Sequence, residues 1–147
     1  MAIEGVRPRI VCFGTLAQRG EGSRRALDAV LEAAGGERFL DINLRAPYDD
    51  AAVVRRSLGA ASHLKLNEAE LRTVAALAGV GGADDPARAR AFIEAFGLLS
   101  VVVTCGADGA WWMGQDGRIE RIAGRPLEGG LVDTVGAGDG FAAVVIE

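Results

Sequence analysis

The chain has 147 residues, half of them hydrophobic, with a formal net charge of -4. That is enough for one packed domain and too apolar for a disordered chain, and an acidic chain without basic blocks argues against nucleic acid or anionic membrane as partners. No apolar run reaches the length of a membrane span, and residues 1–8 lack the apolar stretch of a signal peptide, so a cytoplasmic location is expected.

In chain order, residues 9–13 form a β-rich run stopped by Gly14. Leu27, Val30, Leu31 and Ala34 then recur on one helical face, with Ser23 as the expected N-cap and Gly35-Gly36 as the stop. Residues 39–43 read as a second strand, broken off by Pro47. Ala51, Val54 and Leu58 mark a helix ended by Gly59, and residues 63–66, with His63 as a structural residue, make a short third strand. Leu71, Val74, Ala75 and Ala78 mark the next helix, ended by Gly79. Asp85 is the expected N-cap of a further helix, with Pro86 at its first position, a buried stripe of Ala89, Phe92, Ile93 and Phe96, and Gly97 closing it.

Residues 98–104 are the strongest strand, continuous and β-branched as in a strand covered on both faces. Residues 110–113 and 118–122 read as a β-hairpin turning through Gly114-Gln115-Asp116-Gly117. Its adjacent Trp111 and Trp112 point to opposite faces, as packing and edge cover. A last helix starts near Gly138, with Phe141, Val144 and Val145 on one face. The alternation predicts an α/β fold: a mainly parallel sheet, helices on both faces, and a hairpin over residues 110–122.

In such a sheet, ligands bind outside the carboxyl ends of the strands. Gly14-Thr15, Asp41-Ile42-Asn43-Leu44-Arg45, Lys65-Leu66-Asn67-Glu68-Ala69-Glu70 and Thr104-Cys105-Gly106 all fall there. Gly136-Ala137-Gly138-Asp139 is sharper: small residues open a helix, where free N–H groups and the dipole favour an anion. Asp139 is then either a dipole partner in the first turn or a base for an attacking hydroxyl. Asn67 and Glu70 have the spacing of a capping box, a role compatible with ligand contact. Cys12 and Cys105, each in an apolar run, read as buried thiols, and with a single histidine no zinc site is expected. A P-loop, a nucleophile elbow and a full G-x-G-x-x-G are absent; Phe141 stands where the third glycine of the last would be, which makes a dinucleotide-binding domain a weak rival.

Asp133-Thr134-Val135-Gly136-Ala137-Gly138-Asp139-Gly140-Phe141 resembles the second signature of PfkB, ribokinase-like carbohydrate kinases, D-T-x-G-A-G-D-x-F, with every fixed position present. Upstream, Lys65 to Glu70 resembles the family's K-x-N-x-x-E, and Val101 to Gly106 with Gly109-Ala110 resembles its nucleotide-approaching strand and turn. Asp41 to Arg45 resembles the D-x-N-x-R of fructokinase-like and 2-keto-3-deoxygluconate kinase-like members.

The resemblance implies ATP-dependent phosphorylation of a sugar, with Asp139 as catalytic base and Gly136, Ala137 and Gly138 as the anion hole. It implies nucleotide contacts from Lys65, Asn67, Thr104 and Gly106, substrate or phosphate contacts from Asn43 and Arg45, and indirect support of Mg²⁺ by Glu70 with Asn67. Asp133 and Thr134 would fix the turn before the anion hole. Members are about twice as long, so residues 1–147 are expected to be a partial ribokinase-like domain without the sugar-binding half and lid through which a full-length form would dimerise. Fructokinase-like specificity is expected; the alternatives are 2-keto-3-deoxygluconate or ribose as acceptor, or a family fragment that keeps the fold without catalysis.

Overall fold

A computed structural model describes residues 8–45, 50–124 and 137–146; in the last stretch it describes the side chains of residue 138 and of 140–143. Strands β1 (Ile10–Phe13), β2 (Glu37–Asp41), β3 (His63–Asn67), β4 (Ser100–Thr104), β5 (Ala110–Gly114) and β6 (Ile119–Ile122) form one sheet in sequential order. β1 to β4 are parallel, and β5 and β6 add an antiparallel wing. The helices are α1 (Glu21–Ala34), α2 (Ala51–Ala60), α3 (Glu68–Ala78), α4 (Asp85–Phe96) and α5 (Ala137–Ile146).

The parallel strands advance in one direction without reversal, so right-handed crossovers bring α1, α2 and α3 to the same face, and α4 packs beside α3. Strand alternation then sorts the side chains. Leu40, Leu64, Leu66, Val101 and Val103 join Leu58, Leu71, Val74 and Phe92 in the main core, all fully buried. Their neighbours Phe39, Asp41, Lys65, Val102 and Thr104 turn to the other face, where α5 lies: Gly138 sits beside Lys65 and Ala142 is buried. Helices thus occupy both faces. β4 is buried on both sides through Val103, as its unbroken β-branched run requires. The hairpin closes through Gly117, at φ 77°, and β6 is exposed along its length.

α1, α3 and α4 stop at Gly35, Gly79 and Gly97, each in the left-handed conformation that glycine adopts without steric cost. Trp111 is buried and Trp112 exposed, on opposite faces as expected. His63 is structural: its ring nitrogens meet Ser100 Oγ at 2.8 Å and Glu37 Oε2 at 2.9 Å. No helix among the described residues is long and apolar enough to cross a membrane.

Several boundaries differ from expectation. α1 begins at Glu21 on an extended Gly20, not at a Ser23 cap, because a 3-10 turn at Leu16–Gln18 delivers the chain early. That turn is anchored by buried Gln18, which donates to Gly14 O and Ser57 Oγ. α4 is capped by Asp84, whose side chain accepts from Ala87 N at 2.8 Å; Asp85 is thereby helical and engages Arg72 and Arg88. Gly59 lies inside α2, which continues to Ala60. β2 runs earlier than residues 39–43, since Asn43 has φ 39° and cannot extend the strand. Cys12 is exposed rather than buried: it lies on the α5 face of β1, the edge strand among the described residues, beside an open cleft. Cys105 is half-buried. Pro47 lies outside the described residues.

Candidate active site

Parallel register builds the site from side-by-side pairs. Asp41 on β2 neighbours Lys65 on β3, and Asn67 at the end of β3 neighbours Thr104 at the end of β4. All four lie on the α5 face near the carboxyl ends of their strands, where α5 begins with Ala137 and Gly138.

The inner pair is an ion pair, with Lys65 Nζ donating to Asp41 Oδ2 at 2.8 Å and side-chain exposures of 9% and 12%. A Cβ added to Gly138 would lie 3.0 Å from Lys65 Nζ. An ammonium, the first turn of a helix and a residue without a side chain therefore converge on one spot. Unpaired N–H groups at a helix start and a nearby cation are complementary to phosphate oxygens.

Asn67 caps α3: its side chain accepts from Glu70 N, and Glu70 Oε2 accepts from Asn67 N, both at 2.9 Å. Glu70 Oε1 accepts from Leu44 N at 2.9 Å and so ties the loop after β2 to α3. The expected capping box is present, and the same carboxylate holds the loop that carries Asn43 and Arg45.

Two clefts border α5, one at its start and one along its middle. One, of about 370 Å³, is lined by Thr104, Gly106, Gly109, Gly124, Gly138 and Phe141. The other, of about 750 Å³, is bordered by Cys12, Thr15, Asp41, Asn43 and Ala142 among others. Gly106, at φ 57°, turns the chain after β4 with no heavy atom within 4 Å of an added Cβ, so its backbone stands open to the first cleft. Asn43 holds a positive φ of the kind that recurs at functional positions. Arg45 is exposed on the same loop, outside the lining of the larger cleft.

Lys65, Asn67, Thr104, Gly106 and Gly138 are thus brought together, with Asn43 on the second cleft and Glu70 bracing the loop between. Asp133, Thr134 and Gly136 lie outside the described residues. Ala137 and Asp139 belong to the first turn of α5 by backbone, their side chains outside the description. Two residues have roles that the sequence does not show. Thr15, buried, donates from Oγ1 to Ile42 O at 2.9 Å and pins the end of β1 to that of β2. Asp41 stands out in sequence only as part of a motif; an acid closing one parallel strand and a lysine within the next were the available signal. Among the described residues, no cluster of three or more His, Cys, Asp or Glu side chains could cage a metal. Burial, then the nearby Glu68 charge, pushes the Cys105 thiol pKa up, so it stays protonated at neutral pH and is a poor nucleophile.

The family profile described as "pfkB family carbohydrate kinase" matches residues 11–147. The chain belongs to that family. This pfkB chain is 31% identical to the aminoimidazole riboside kinase of Salmonella typhimurium over 126 residues, 82% of the chain and 35% of that protein. Among solved structures it is similar to the fructokinase of Vibrio cholerae O395 bound to fructose, ADP and calcium ion: TM-score 0.74, 27% identity, 93% of this chain and 44% of that one. It is also similar to the Salmonella enterica aminoimidazole riboside kinase complexed with aminoimidazole riboside and an ATP analogue: TM-score 0.69, 25% identity, 92% of this chain and 47% of that one. The pfkB chain therefore spans between a third and a half of the length of these relatives.

Proposed function

We propose that this chain is the catalytic, nucleotide-facing portion of an ATP-dependent sugar kinase, which moves the γ-phosphoryl group of ATP onto a hydroxyl of a sugar or ribosyl acceptor. The observation that carries this reading is the convergence of the Lys65 ammonium on the opening turn of α5, next to Gly138. In the proposed reaction Asp139 takes the acceptor hydroxyl proton, the oxygen attacks the γ-phosphorus, and the bond to the β-phosphate oxygen breaks to release ADP. Gly136, Ala137 and Gly138 offer backbone N–H groups to the charge that builds on the transferred group. Thr104 and Gly106 line the nucleotide cleft, Asn67 stands beside Thr104, and Asn43 and Arg45 serve the acceptor or its phosphate.

Mg²⁺ fits this donor set. It keeps several waters and needs only one or two carboxylates besides phosphate oxygens, so Glu70, committed to two backbone N–H groups, would act through water. When bound, the ion would neutralise charge on the β- and γ-phosphates.

Fructokinase-like specificity is the reading favoured by Asp41-Ile42-Asn43-Leu44-Arg45. The named relatives include both a fructokinase and an aminoimidazole riboside kinase, so a ribosyl acceptor is the second reading. A cytoplasmic location and a lid-mediated homodimer of a longer form accompany both. The test follows label from γ-labelled ATP into fructose, ribose, 2-keto-3-deoxygluconate and aminoimidazole riboside. In a protein of the relatives' length, fructose is expected to take the label fastest, and a ribosyl acceptor overtaking it by tenfold or more selects the second reading. These 147 residues alone are expected to bind ATP weakly without detectable transfer, since acceptor positioning carries much of the rate; rapid transfer by them would refute that expectation.

A further inference from the structure

The Asp41–Lys65 pair asks for a reason to exist. Replacing a buried ion pair by apolar residues of similar volume is often neutral or stabilising, so such a pair is weak evidence of a structural role. This pair is also incompletely satisfied: Asp41 Oδ2 takes the ammonium, while Oδ1 is buried with no hydrogen-bond partner among the described residues. A purely structural carboxylate would be expected to use both oxygens. The lysine is held where it meets the first turn of α5, within contact distance of a Cβ placed on Gly138. A lysine carries several rotatable bonds and large rotamer freedom, and without a fixed counter-charge its head would sample the open clefts on either side.

We propose that Asp41 is a positioning residue that holds the Lys65 ammonium ready at the start of α5 for the terminal phosphate of a nucleoside triphosphate. The inference rests on the kinase reading above and adds a residue to it. Asp41 touches neither nucleotide nor acceptor phosphate; it acts through Lys65. The cross-strand register of β2 and β3 supplies the alignment. A side chain at Gly138 would crowd the ammonium, its Cβ lying 3.0 Å from Nζ.

The test compares ATP and ADP affinity of the 147-residue chain, its Asp41→Asn and Lys65→Met variants, and the double variant. Wild type is expected to prefer ATP over ADP; each single replacement is expected to reduce that preference roughly tenfold, and the double replacement to reduce it no further. A merely structural Asp41 would shift the melting temperature and leave the ATP-to-ADP ratio unmoved. Loss of preference in Lys65→Met with full preference in Asp41→Asn overturns the proposal and leaves the kinase reading standing. A wild-type chain that does not prefer ATP overturns the proposal, while label transfer in a protein of the relatives' length decides the kinase reading. Should Asp41→Asn fail to fold, the ε-methylene NMR signals of Lys65 in the wild-type chain decide. A single ordered rotamer before ATP is added supports positioning by Asp41, and averaging among rotamers until ATP arrives overturns it.

Discussion

Replacing Asp139 by asparagine is expected to lower phosphoryl transfer by roughly 10²–10⁴-fold, in a protein of the relatives' length, while ATP affinity changes little. The amide keeps the size of the carboxylate and cannot accept a proton at neutral pH. The backbone N–H groups of the α5 opening turn are untouched, so the proposed anion cradle is expected to survive. Loss in kcat with an unchanged ATP dissociation constant is the signature of a group needed only as the proton moves. Steady-state kinetics beside a binding titration check it; retained turnover would remove Asp139 from the base role and leave it as a dipole partner in the first helical turn.

The second large effect is on stability. Phe92 in α4 is fully buried in the main core and stacks on Phe96 with ring centroids 6.3 Å apart. Phe92→Ala leaves a cavity beneath the sheet and is expected to cost ~3–5 kcal/mol. For a chain of this size that lowers the melting temperature by roughly 10 °C, a large share of a domain's usual stability. Thermal and urea unfolding followed by circular dichroism check it. The two substitutions separate the two faces of the sheet: one is expected to remove the chemistry proposed at α5 without loosening the core, the other to loosen the α1–α4 layer without touching a proposed site group.

The fold was legible because its signals are local and redundant. The β-branched run before Thr104 can only be a strand covered twice, and Gly35, Gly79 and Gly97 end three helices by one mechanism. Boundaries failed where neighbours competed for one role. Asp84 and Asp85 are both good caps, and only the extended backbone at Asp84 decides between them. Ser23 looked like a cap, yet the turn anchored by Gln18 starts α1 earlier. Cys12 read as buried because hydropathy carries no information about which strand is an edge.

The site divided in the same way. Asn67 with Glu70 was visible as a capping box, and the structure bears it out. The second use of Glu70, holding Leu44 N, was invisible because it spans two elements. The Asp41–Lys65 pairing needed the register of β2 against β3, which no single-chain pattern states.

On the proposed reading, the terminal phosphates of a nucleotide meet the start of α5 between β3 and β4. A ¹H–¹⁵N titration of the chain with ATP, with AMP as control, tests it most directly. The Gly106, Gly138 and Gly140 amides are expected to shift with ATP and far less with AMP. Shifts that gather on the α1–α4 side of the sheet, with these glycines unmoved, would contradict it.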